Sequence, residues 1–101
     1  MRESLVQAAC MDLFARLGWW HMRANAGRVG GCQLAPTGTA DVIAREPGRA
    51  RMWWVECKGD GGNPTSEQIA AADRHIRDGG VYVLAYDAMD VAKEIERRRG
   101  R

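Results

Sequence analysis

Glu56 and Lys58 stand two positions apart in Trp54-Val55-Glu56-Cys57-Lys58, and Asp41 precedes Glu56 by fifteen residues, in Gly38-Thr39-Ala40-Asp41. Alternate side chains of a β-strand share a face, so Glu56 and Lys58 point one way and Cys57 the other. A carboxylate and an ammonium are then neighbours, and Asp41 supplies a second carboxylate from an adjoining strand. Two carboxylates suit a hard divalent cation, Mg²⁺ or Mn²⁺, and a lysine beside them steadies an attacking water or a developing negative charge. That is the equipment of a metal-dependent phosphodiesterase.

Such groups need strands to position them. Residues 39–45 and 51–58 read as two strands joined across Glu46-Pro47-Gly48-Arg49, a turn of proline then glycine. The apolar run Val42-Ile43-Ala44 behind Asp41 implies burial, and a buried carboxylate requires a partner. Trp54 shares the face of Glu56 and Lys58, while Trp53 and Val55 cover the other, as on a strand near the middle of a sheet. Upstream, residues 2–17 form a helix with Val6, Cys10, Leu13 and Leu17 as its inward stripe, ended by Gly18. Continued backward by three, the stripe reaches Glu3, which is expected to face inward. Residues 19–25 have a strand's aromatic content, and the glycine-rich stretch 26–38 reads as a long mobile loop.

Downstream, Thr65 or Ser66 caps a helix to about residue 78, with Ile69, Ala72 and Ile76 as its buried stripe, and Gly79-Gly80 stops it. Residues 81–86 are a short apolar strand. Asp87 or Asp90 opens a last helix with Val91 and Ile95 inward. The order is α-β-β-β-α-β-α: one small α/β domain over residues 1–96, a mixed sheet flanked by helices, followed by a basic tail at 97–101.

Composition agrees with this size and class. A chain of 101 residues, 46% hydrophobic and 28% charged, supports one core and buries about 65% of its surface on folding. The net charge of +2 permits a polyanionic partner without requiring one. Of fifteen basic residues only Lys58 and Lys93 are lysines, and arginines suit bidentate phosphate contacts. Three cysteines without a C-x-x-C pair argue against a disulfide framework or zinc ribbon and for a reducing cytoplasm. No apolar run reaches the ~18 residues of a membrane span.

The element order, together with Glu3, Gly38-Thr39-Ala40-Asp41, Glu56-Cys57-Lys58 and Gln68 in Pro64-Thr65-Ser66-Glu67-Gln68, resembles the VRR-NUC family of the PD-(D/E)xK nuclease superfamily. The resemblance covers the chain from Glu3 to about Ile95, with Arg23-Ala24-Asn25 a weaker echo. Ala40 is a departure, since the family usually carries proline before the aspartate. The resemblance implies a restriction-endonuclease-like fold and a metal-dependent DNA endonuclease selective for branched or structured duplexes, similar to Holliday-junction resolvases. It also implies a homodimer in DNA repair or recombination, in the cytoplasm of a bacterial cell and of a type commonly encoded by phages. Asp41, Glu56, the Cys57 backbone carbonyl and, through water, Glu3 would be the metal ligands. Lys58 would neutralise charge at the reacting centre, and Gln68 would orient groups around it. Arg23, Asn25, Arg28 and Arg45 or Arg51 are the expected contacts to the DNA backbone. The rival is a catalytically weak nucleic-acid-binding or assembly subunit that keeps the nuclease fold.

Each residue also has a plainer role. An acid in a first helical turn, as at Glu3, favours the helix dipole whatever else it does. Glu56 and Lys58 could form an ordinary ion pair, Gln68 could be a half-exposed helix residue, and Cys57 suits a core. His21 and His75 read as structural or surface residues. Of the four tryptophans, any exposed one is a candidate dimer contact.

Overall fold

The computed structural model describes residues 1–24, 28–29, 32–33 and 36–99. Helix α1 spans Glu3–Leu17 and ends at Gly18, whose φ of 74° lies in the left-handed region that glycine enters without a side-chain penalty. Strand β1 (Trp20–Arg23) follows, then two short strands, β2 (Arg28–Val29) and β3 (Cys32–Gln33). Strands β4 (Val42–Arg45) and β5 (Met52–Cys57) flank the expected turn, where the Arg49 amide returns to the Glu46 carbonyl and Gly48 takes a φ of 76°. Helix α2 (Ser66–Arg77), strand β6 (Val81–Ala85) and helix α3 (Ala88–Arg98) complete the chain.

The main sheet has the order β1-β4-β5-β6, antiparallel except for the parallel pair β5/β6. Strand β5 is therefore bonded on both sides. This is a single α/β domain with a mixed sheet, and its helices and main-sheet strands follow the expected α-β-β-β-α-β-α order.

One face of the sheet carries the core. Val42, Ala44, Trp53, Val55, Cys57, Val81, Val83 and Ala85 pack against Val6, Cys10 and Phe14 of α1 and Val91 of α3. Phe14 stacks on Trp19 at 5.4 Å, and Trp19 meets Trp53 edge-on at 5.2 Å. Each such aromatic pair is worth about 0.5–1.5 kcal/mol beyond the apolar area it buries. Helix α2 covers the opposite face.

Helix orientations depart from the sequence reading in two places. In α1 the buried row is Val6, Cys10 and Phe14, while Leu17 is exposed and Leu13 only half-buried. This row steps by four throughout, so its backward continuation passes Arg2 rather than Glu3, and Glu3 is exposed rather than inward-facing. In α2 the buried residues are Ala71 and Ala72, whereas Ile69 and Ile76 are half exposed, at 50% and 52%. The helix lies so near the chain at Gly38 that a Cβ there would stand 2.5 Å from the Glu67 carbonyl oxygen. Only alanines fit on that side, and the larger residues are displaced outward.

Two further differences concern segments read as irregular. Within residues 26–38, expected as an uninterrupted loop, β2 and β3 pair antiparallel as a separate small sheet. Helix α3 runs through Arg98, and Arg97 and Arg98 both pair with Glu94, so the basic tail expected from residue 97 begins as helix. Among the described residues no helix is long and apolar enough to cross a membrane.

Candidate active site

The β4/β5 register pairs Val42 with Val55 and Ile43 with Trp54. Continued by one step, it sets Asp41 opposite Glu56. Both belong to the sheet face covered by α2, because they lie two residues beyond Ile43 and Trp54 on their strands. The Cys57 amide donates to Asp41 Oδ2 at 2.8 Å, and the Asp41 carbonyl accepts from the Ala24 amide, also at 2.8 Å. Upstream of Asp41, the Thr39 amide and hydroxyl both donate to the Pro36 carbonyl. Gly38, at a φ of 90° and with no space for a Cβ, lets this segment pass directly under the first turn of α2.

Glu56 is 1% exposed. Its Oε2 accepts from the Gln68 side-chain amide at 2.9 Å and lies 3.5 Å from Lys58 Nζ. Its Oε1 is buried with no hydrogen-bond partner among the described residues. Burial, then the charge of Asp41 and a contact with that carboxylate, push the Glu56 carboxyl up to about 8, against the lowering effect of Lys58. The Lys58 side chain is 13% exposed. Its backbone amide extends the parallel pairing by donating to the Ala85 carbonyl, and the turn at Gly62 closes over its aliphatic stem.

Gln68 has two roles. It is the third residue of α2, and its Oε1 accepts from the Thr65 amide while the Thr65 hydroxyl accepts from the Gln68 amide. This reciprocal capping box fixes the start of the helix. With Oε1 so occupied, Nε2 is directed toward Glu56.

The structure thus brings together Asp41, Glu56, Lys58 and Gln68, all expected from the sequence. Glu3 does not join them, and among the described residues no group of three His, Cys, Asp or Glu side chains forms a metal-holding set. The first turn of α1 nevertheless lies close by: a Cβ on Gly59, the residue after Lys58, would stand 3.2 Å from the Glu3 amide nitrogen. Cys57 contributes its amide, bonded to Asp41. Its side chain is a core residue, and contact with Cys10, burial and the nearby carboxylates hold its thiol protonated.

The arginines divide. Arg51 is bound by Glu46 through Nε at 2.7 Å and Nη2 at 3.2 Å, and Glu46 also accepts from Trp53 Nε1 at 2.9 Å. Arg51 thereby anchors the turn between β4 and β5. Arg45 lies over the exposed Trp20 ring at 5.6 Å, and Arg23 is exposed on β1. Arg28 belongs to β2, and Asn25 lies outside the described residues.

Tyr82 is a neighbour that the sequence reading passed over. It pairs in register with Trp54 on the face that bears Glu56, and burial, then the charges of Glu56 and Asp41, push its phenol up to about 12. The signal was present in the sequence: alternation in Val81-Tyr82-Val83-Leu84 assigns Tyr82 and Leu84 to the face opposite the two valines.

The donor set fits a divalent cation. Two facing carboxylates, one held by a backbone amide and the other carrying a buried oxygen without a partner, are hard ligands whose mutual repulsion a cation relieves. Without it, a proton on Glu56 serves that purpose. Comparison with protein-family models, curated proteins and solved structures finds no match to this chain.

Proposed function

We propose that the chain is a Mg²⁺- or Mn²⁺-dependent endonuclease that hydrolyses phosphodiester bonds in branched or structured DNA, with Asp41 and Glu56 as metal ligands. One observation carries the reading: a buried glutamate, with one oxygen unpaired, faces an aspartate and lies beside a lysine and a glutamine. A bound cation would supply Lewis-acid polarisation of the phosphoryl group and a more acidic water. The chain's own residues supply the rest. The Cys57 amide holds Asp41 in place. Gln68 fixes the rotamer of Glu56 from a capped helix terminus, so the ligand is oriented before substrate arrives. Lys58, sheathed by the Gly62 turn, offers a fixed positive charge to the oxygens of a pentacovalent phosphorus. Glu3, exposed on the nearby first turn of α1, is left an outer, water-mediated role.

A homodimer is part of the proposal, because two sites related by a two-fold axis cut both strands of a symmetric junction. Trp20, exposed on the edge strand β1, is its candidate contact. A bacterial cytoplasm, or a phage-infected cell, is the proposed setting.

The test is incubation with plasmid, hairpin, flap and four-way-junction DNA, with and without Mn²⁺. Cleavage should require Mn²⁺ or Mg²⁺ and favour a branched substrate. Asp41→Asn, which still accepts from the Cys57 amide, and Lys58→Ala should each abolish it while circular dichroism stays unchanged. DNA binding without cleavage in wild type would assign the chain to the catalytically weak subunits instead.

A further inference from the structure

The sheet face that bears Asp41 and Glu56 does not end with them. Along the same strands it continues into a groove of about 520 Å³, with Met22 and Ile43 on its sheet side, Trp54 and His75 as an aromatic wall, and Ala71 and Arg74 on α2. That volume falls in the range, roughly 300–1,000 Å³, of sites that hold one small molecule. Ile43 and Trp54, which line the groove, stand two residues, about 7 Å, along their strands from Asp41 and Glu56.

The wall is built to be rigid. Trp54 stacks on His75 at 4.3 Å with an interplanar angle of 11°. His75 Nε2 lies 3.0 Å from both the Met52 and the Val81 carbonyls, so that nitrogen carries the proton and donates to the entrances of β5 and β6. Gly80 is required behind it, since a Cβ there would lie 2.2 Å from the imidazole. A half-buried indole held this way presents a fixed apolar surface at little entropic cost. Arg74 is exposed on the rim, in no ion pair among the described residues, with the acidic Asp78 one turn further along.

We infer that this groove takes one unpaired nucleobase of the DNA strand being cut, packed against Trp54 and Met22 while Arg74 contacts an adjoining phosphate. The inference rests on the hydrolase reading and specifies its substrate as DNA with an unpaired nucleotide beside the scissile bond. A groove with an indole and a methionine on its walls and threonines beside them suits a base, and a guanidinium on the rim suits the phosphate that follows it. A base still paired within a duplex has no free face to offer the slot.

The experiment is carried out in EDTA, so that binding is read without chemistry. Oligonucleotides bear a single 2-aminopurine, either unpaired at a branch point or paired within a matching duplex. Wild type should quench the unpaired probe on binding and leave the paired probe unchanged. Trp54→Leu should lose the quench, and Trp54→Phe should restore part of it. Because Trp54→Leu could unfold the domain, Met22→Glu and Arg74→Glu serve as surface variants. Each should retain wild-type circular dichroism and sedimentation and weaken binding of the unpaired probe roughly tenfold, since Met22→Glu sets a carboxylate against the base and Arg74→Glu replaces a phosphate contact with a repulsion. Unaltered fluorescence on binding, equal quenching of the paired probe, wild-type affinity in both surface variants, or no DNA binding at all would overturn the inference. Mn²⁺-dependent cleavage without quenching would overturn the groove alone, and quenching without cleavage would overturn only the hydrolase.

Discussion

Gln68 Nε2 donates to Glu56 Oε2 at 2.9 Å, while Gln68 Oε1 accepts from the Thr65 amide. One side chain closes the cap of α2 and holds the buried carboxylate, and substitution separates the two tasks. Gln68→Glu retains a capping-box acceptor but turns an acid toward Glu56. Helix content by circular dichroism should persist while cleavage falls by at least tenfold. Gln68→Ala should also cost about 1 kcal/mol in urea denaturation, as lost caps do. Wild-type cleavage by Gln68→Glu would reduce Gln68 to a cap.

Glu56 gives metal-free stability a particular pH dependence. Its folded-state value near 8 lies above the ordinary 4.5, so between those limits the folded protein holds a proton that the unfolded chain has lost. Stability must then fall as pH rises from about 5 to 8. Glu56→Gln removes the titration while preserving the acceptor for Gln68. In EDTA, its stability relative to wild type should rise by at least about 1.4 kcal/mol, one pKa unit's worth, over that interval. A constant difference in denaturant midpoints would refute the assignment.

Gly38 is the tightest point in the site's support. Gly38→Ala must place a Cβ 2.5 Å from the Glu67 carbonyl oxygen at a φ of 90°. Either α2 or the 36–41 segment has to shift, which should cost about 1–3 kcal/mol. Asp41 and Gln68 lie on either side of that contact, so cleavage per folded molecule should fall as well. Denaturation and cleavage at matched folded concentration would measure both effects.

Glu46 binds Arg51 and Trp53 at the outer end of β5 and is 15% exposed. The hydrogen bond from Arg51, and then that from Trp53, hold its carboxyl below the usual range against the effect of burial. A depressed value stabilises fully above the unfolded pKa and is lost as pH falls through the folded one. Glu46→Gln should therefore cost about 1–3 kcal/mol at pH 7, and the difference from wild type should shrink below about pH 4.5. Thermal melts at pH 7 and pH 3.5 would show it.

Period and punctuation made the element order legible: Gly18, Pro47-Gly48 and Gly79-Gly80 fall where the chain turns, and Thr65 and Asp87 cap where expected. The pairing of Asp41 with Glu56 followed from strand alternation. Helix orientation was less legible, because it depends on how closely each helix approaches the sheet. Ala71 and Ala72 are buried in preference to Ile69 and Ile76 since α2 has to meet a glycine backbone. In the same way Phe14 displaced Leu13 and Leu17 and carried Glu3 outward. Nothing in the spacing of Arg51, named from the sequence as a DNA-backbone contact, shows that Glu46 curls back across the turn to hold it.

Asp41, Glu56, Lys58 and Gln68 lie within residues 38–68 on the sheet face that α2 covers, whereas the core residues of α1 and α3 pack on the other face, and of α1 only the first turn comes near the site. Substitution at Phe14 or Val91 can therefore change how many molecules survive heating without altering what each survivor does. A protein built this way is free to trade ruggedness on one flank while its reactive flank stays under separate constraint.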